Sequence, residues 1–303
     1  MTQPAHIRLI LFRAAYNFPV TLGREHGVFA RNGLDLTIEY TRGSQMTAEG
    51  LRSGAYDVGV LAADDVVYEV ETRDADLFMF MGLHGGILTL IGRPEVRTAR
   101  DVAGRRLGVD DPASGFALVA HRILRDAGLS ITDYETVPAG GHEHRARALL
   151  DGTIDAALLT PPFTLDALAR GFTLLARARE HLPAYQASCG VTTRRWARAH
   201  GDTLVAYISA YRASLARLLA PDQRGAALRH LQEQFALSPD DAATTLRALV
   251  DPEDGLSRDA ALDLAGVQTV LDLRVQAGLL PPGERPLTRY LDLAYYERAA
   301  PPA

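Results

Sequence analysis

Lysine is absent from this chain: all 32 of its basic residues are arginine. That excludes a lysine Schiff base, a lysine-held pyridoxal cofactor and the lysine of a phosphate-binding loop. Cysteine is nearly absent too. A lone Cys189 admits no internal disulfide, multi-cysteine metal site or iron–sulfur cluster. Basic charge is in deficit, 32 basic against 37 acidic residues for a net charge of −5, so no nucleic-acid partner is expected. Long apolar runs are missing. The longest window, Leu77 to Ile91, is interrupted by His84, Gly85 and Gly86 and is too short to span a bilayer. The start, Met1 to His6, has neither the basic stretch nor the small-residue cleavage site of a signal peptide. As written, the chain is expected to be cytoplasmic; removal of an export leader would make it periplasmic or extracellular.

What is present is ordinary globular chemistry, 47% hydrophobic and 23% charged over 303 residues. That length sits at the upper limit for one hydrophobic core, so two lobes are expected. An internal repeat points the same way. Leu51 to Leu61 matches Leu149 to Leu159, with Gly54 and Asp57 recurring as Gly152 and Asp155, displaced by 98 residues. Each copy reads as a helix end, a glycine stop and an aspartate leading into a short apolar strand. Upstream, Val28 to Leu34 matches Ile123 to Leu129, and the opening Arg8-Leu9 matches Arg106-Leu107. Three matches in one order imply two strand–helix–strand–helix–strand units.

From Thr193 onward the pattern is helical. Ser238 and Pro239 start one helix, and another is expected from about Arg258 to Ala277, stopped by Gly278. The predicted fold class is α/β: two doubly wound lobes with a ligand cleft at a two-strand hinge, plus a C-terminal helical extension. Residues 1–86 with 190–303 would form lobe 1, and 90–186 would form lobe 2, inserted into it. The linkers fall near His84 to Gly92 and near Tyr185 to Thr192.

Several segments resemble one known family. Gly27 to Leu34, Leu51 to Gly59, Asp101 to Val109 and the closing Gly278 to Asp292 follow its order and spacing. The chain resembles the type II periplasmic-binding-protein fold, and within it the family that groups sulfonate, nitrate and taurine ABC-transporter receptors with thiamine-pyrimidine synthesis (NMT1-like) proteins. The resemblance implies a hinged cleft and leaves open what the cleft does.

Ligands of open α/β sheets bind where strands end and helices begin. The loops in question are Arg13 to Phe18, Thr41 to Ser44, Ala62 to Asp65, Asp110 to Phe116, Ala139 to His144 and Thr160 to Phe163. Ser114 and Gly115 open a helix and suit an anion, although Ser114 capping that helix is the plain alternative. Arg13 is expected to oppose them across the cleft and neutralise that anion, or else to pair with a surface acid. Tyr16, Asn17 and Phe18 offer an aromatic wall and an amide, or packed core. Ser44 would donate to the ligand or cap its helix. Asp64 and Asp65 diverge, so one at most faces the cleft and would favour an amino or amidine group; the alternative is an N-cap. Ala62, Gly85, Phe116, Thr160 and Pro161 complete the expected lining.

His84 is the candidate for chemistry, because flanking glycines leave the imidazole accessible and its ordinary pKa of about 6.5 suits proton transfer. The alternative is a hinge histidine bonded to backbone. His142-Glu143-His144 diverge and lack a third ligand, so no metal is expected, and no cofactor. Cys189 reads as a small buried hydrophobe. Two functions fit these residues. One is a solute-binding protein closing over a small, anionic organic molecule, with an ABC permease as partner if the chain is exported. The other is a cytoplasmic lyase, decarboxylase or hydrolase acting on a small organic acid through His84, Asp64 and Asp65.

Overall fold

The computed structural model describes residues 3–112 and 114–299, so Ala113 of the Asp110 to Phe116 loop and the tail residues 300–303 lie outside it. Ten strands are present: β1 Ala5–Phe12, β2 Leu34–Thr41, β3 Val58–Ala62, β4 Leu77–His84, β5 Thr89–Gly92, β6 Arg106–Val109, β7 Glu135–Pro138, β8 Ala156–Leu159, β9 Thr173–Arg177 and β10 Ser188–Thr193. They form two five-stranded sheets, ordered β2-β1-β3-β10-β4 and β7-β6-β8-β5-β9. The two copies of the repeat fall in different sheets. Gly54 and Gly152 both end their helical turns in the left-handed region, at φ of 77° and 74°, which a side chain would resist.

Each sheet is parallel except for one strand. β10 runs antiparallel between β3 and β4, and β5 runs antiparallel between β8 and β9. These are the strands that the chain enters on crossing between sheets, after His84 and again after Arg177. Helices cover the sheet faces, so the parallel strands read as continuous apolar runs; every residue of β3 and β8 is buried.

β4 is the end strand of its sheet, yet all eight of its residues are buried. The chain after residue 255 explains this by lying along the strand edge. His84 bridges Leu256, Ser257 N–H donates to Leu83 O at 2.8 Å, and Gly82 N–H donates to Ala260 O at 2.9 Å. An unpaired strand edge is thereby covered. This corrects one expectation: the last long helix spans Leu264–Gln276, not residues from 258, because Leu256, Ser257 and Ala260 pair with β4 and the Asp263 N–H with Gln186. The helix Pro239–Leu249 starts as expected, with Ser238 capping the Asp241 N–H at 3.2 Å. No helix among the described residues is long and apolar enough to cross a membrane.

Candidate functional site

The carboxyl ends of β1, β3, β6 and β8 meet between the two sheets. Their loops touch directly. Gly141 N–H donates to Arg42 O at 2.9 Å and Ala15 N–H to Pro161 O at 3.4 Å. Ser44 N–H reaches Asp110 Oδ2 at 3.4 Å, and Gln45 donates to Asp111 at 2.6 Å. At the start of the helix Gly115–Asp126, the Gly115 N–H donates to Asp65 Oδ1 at 3.1 Å.

Behind these contacts lies a buried polar cluster. A turn after β1 places Tyr16, whose ring centre is 4.8 Å from that of His84 at the end of β4 and 5.9 Å from that of His142. Phe116 faces His142 from the second sheet at 5.4 Å. Arg145 lies one helical turn beyond His142, and its guanidinium donates to Gly140 O at 2.7 Å, Leu158 O at 3.2 Å and His142 Nδ1 at 3.1 Å. Asp110 Oδ1 is 4.0 Å from the same guanidinium. Tyr16, His84, His142, Arg145 and Thr160 are at most 2% exposed.

Several polar atoms here are buried without a hydrogen-bond partner: both ring nitrogens of His84, His142 Nε2, Asp110 Oδ1, Thr160 Oγ1 and Asn17 Oδ1. Such atoms are uncommon in a folded chain and call for an explanation. Burial shapes the titration of the cluster. It pushes His84 down to about 3 and His142 well below the usual histidine range, with the Arg145 charge adding to the effect. It holds Asp65 well above the usual carboxylate range, helped by the negative charges of Asp110 and Asp64. The Tyr16 phenol is also pushed up by burial, against a hydrogen bond with Ser188 and the Arg145 charge.

These positions settle how the expected residues are arranged. Arg13 does not join the cluster. Its side chain is 47% exposed near Glu143 and donates to Gln234 O at 3.2 Å, so it does not oppose Ser114 and Gly115. Phe18 is fully buried against His230, with ring centres 5.2 Å apart, and is core. Asp64 is no N-cap: the helix begins at Ala63, and Arg274 donates two bonds to Asp64, of 2.9 and 2.8 Å. Ser114 does cap its helix, accepting from Ala117 N–H at 3.3 Å, whereas Ser44 is the first residue of its helix, whose N-cap is Gly43. Asn17 donates to Phe12 O at 2.8 Å, and Ala62 packs under Gly115.

Gly85 instead faces the Tyr185 carbonyl, on a hollow shared with Arg179 and Arg258. Cys189 is buried within β10. The expectation that His84 titrates near 6.5 is overturned: no carboxylate offsets its desolvation, so the ring stays neutral far below neutrality. Asp110 and His142 fall in loops expected to line the cleft without being singled out for ligand contact, and Arg145 lies just beyond those loops. The signal lay in the His142–Arg145 spacing of three, which puts both on one face of the helix His142–Leu150. A separate group, Glu25, His230 and Glu233, brings its ligand atoms within 4.8 Å of one another, with both carboxylates exposed.

The family described as NMT1/THI5 like matches residues 15–224. The chain belongs to this family. No match is found among curated protein sequences. Among solved structures, the chain is similar to the alkanesulfonate-binding protein SsuA of Xanthomonas axonopodis pv. citri bound to MOPS (TM-score 0.77, 19% identity, 99% of this chain and 100% of that one). It is also similar to the periplasmic nitrate-binding protein NrtA of Synechocystis PCC 6803 (TM-score 0.82, 10% identity, 97% and 88%). A third is the periplasmic aliphatic sulphonate binding protein SsuA of Escherichia coli (TM-score 0.69, 19% identity, 92% and 94%). NMT1/THI5-like membership and these superpositions give the fold: two α/β lobes of the type II periplasmic-binding-protein kind.

Proposed function

We propose that this NMT1/THI5-like protein is a solute-binding protein whose two lobes close over a small polar molecule. The observation that carries the reading is the set of partnerless buried atoms drawn from both sheets: His84 and Asn17 from one, His142, Asp110 and Thr160 from the other. An unsatisfied buried polar group costs about 1–3 kcal/mol. Atoms that meet only where two lobes touch find partners most economically on a bound solute. In this reading, lobe 1 is 1–86 with 190–303, lobe 2 is 90–186, and the crossings before β5 and β10 form the hinge.

The names of the structural neighbours support two further parts of the proposal, a periplasmic location and delivery of the solute to an ABC-type permease. Against the enzyme alternative, burial lowers His84 to about 3, outside the range that suits proton transfer at pH 7. Denaturing the purified protein and analysing what it releases by mass spectrometry tests the reading. A small molecule should appear in near-stoichiometric amount, rebind in calorimetry and stay chemically intact on incubation. A protein that releases nothing and binds no member of a metabolite library is not a solute receptor.

A further inference from the structure

The charges and donors in the cluster restrict what it can hold. Two buried arginines lie near it, and both are already engaged. Arg274 gives two bonds to Asp64. Arg145 donates to two backbone carbonyls and to His142, with Asp110 beside it. Arg13, the cation expected to meet an anion, stands at the rim. Against these stand the Asp110 carboxylate and the carboxyl of Asp65, which burial raises well above the usual range and which accepts from the Gly115 N–H on one oxygen. A negative solute would enter a low-dielectric space beside them without a new cation to meet it.

Hydrogen-bond polarity adds a second constraint. Arginine can only donate, so His142 Nδ1 must accept from Arg145, and the neutral ring carries its proton on Nε2. That makes the partnerless His142 Nε2 a donor in need of an acceptor. Asp110 Oδ1, also partnerless, is an acceptor in need of a donor. His84 supplies one of each, and the Tyr16 and Phe116 rings pack against the two histidines.

On the reading of this cluster as the solute site, we infer that its solute carries no net negative charge and presents an N–H donor to Asp110 and an acceptor to His142. A carboxamide or a similar nitrogen-bearing planar group meets both demands; the sulfonate and nitrate in the names of the structural neighbours meet only the second. Asp110 and His142 would be the residues that set this specificity.

Four probes on one ring scaffold separate the possibilities: benzamide, benzamidine, benzoate and benzenesulfonate, titrated into the full chain by calorimetry. Benzamide should bind at least about tenfold more tightly than the two anions, since a site built for an N–H donor rejects analogues lacking it, and more tightly than benzamidinium, which donates to Asp110 and offers His142 no acceptor. In Asp110→Asn the carboxamide still accepts from Ser44 N–H but removes the charge, so benzoate should gain relative to benzamide. Asp65→Asn, at a carboxyl that burial already raises well above the usual range, removes little charge and should leave the preference nearly unchanged; thermal melts check that each variant is folded. Tighter binding of the anions by wild type, an unchanged preference in Asp110→Asn, or failure of all four probes overturns the inference. Release of an anion from the purified protein would overturn it too, while leaving the solute-binding reading intact.

Discussion

Arg8 and Arg106 make the same contact in two different sheets. The Arg8 backbone N–H and Nε both reach Asp57 Oδ2, at 2.8 and 3.0 Å, and NH2 reaches Oδ1 at 2.6 Å. Arg106 repeats the pattern on Asp155 at 2.9, 3.0 and 3.0 Å. The repeated aspartates therefore tie the entry of the third strand of each unit to the start of its first. They serve the fold and not the ligand, which explains why they recur with the glycine stops. Charge-assisted bonds of this kind contribute about 1.5–3 kcal/mol. Asp155→Ala and Asp57→Ala should each lower stability by that amount in urea unfolding, and solute affinity should change little in protein that remains folded. A variant as stable as wild type would show the pair to be ornamental. Both aspartates were legible from sequence as a repeat, but their partner was not, because 49 residues separate Arg8 from Asp57.

At the scale of elements, the helix Gly115–Asp126 and the turn at Asp64-Asp65 form a close contact between the sheets. A Cβ at Gly115 would stand 2.5 Å from Asp64 Cβ and 3.3 Å from Ala62 Cβ. Asp64 cannot yield easily, since Arg274 holds it with two bonds. Gly115→Ala should therefore wedge the helix away from its partner without disturbing either core. Overpacking typically costs about 1–3 kcal/mol, equivalent to roughly 5- to 150-fold in the closure equilibrium, and the apparent affinity should fall in proportion. Small-angle scattering should show an increased radius of gyration with the urea midpoint nearly unchanged. Unaltered scattering and affinity would mean that the contact does not gate closure. From sequence, Ser114-Gly115 was legible as a helix start, but the group facing it was expected to be Arg13. Tertiary packing put a carboxylate there and left Arg13 at the rim.

For the whole molecule, burying histidines couples stability to pH. Unfolded His84 takes up a proton below about 6.5, whereas the folded residue does so only near about 3. Across that window the unfolded state binds the extra proton, so stability falls as pH drops, by up to about 1.4 kcal/mol per pH unit from this residue. His142 and His121 are shifted in the same direction, while Asp65, which burial raises well above the usual carboxylate range, acts oppositely. Those contributions remain in His84→Gln, so the difference between the two proteins isolates His84. The variant should show a shallower loss of stability between pH 6.5 and 4 in denaturant titrations, with the curves parallel above pH 7. Parallel curves throughout would mean that His84 is solvated in solution.

The order of apolar runs, glycine stops and aspartate turns determined the two α/β units, because local geometry and side-chain period are written in neighbouring residues. It also indicated which loops would meet, since strand ends follow from strand positions. Where the helix after residue 256 begins was decided by β4, whose edge pairs with Leu256, Ser257 and Ala260. Tertiary structure alone decided which charges meet: Asp64 with Arg274, Asp65 with Gly115, Asp110 with Arg145. Those pairings join segments from 35 to 210 residues apart, and burial then moved His84 away from the titration that its sequence context suggested. The pKa of an imidazole and the polarity of a cleft depend on what is packed around them, which a local run of residues does not contain.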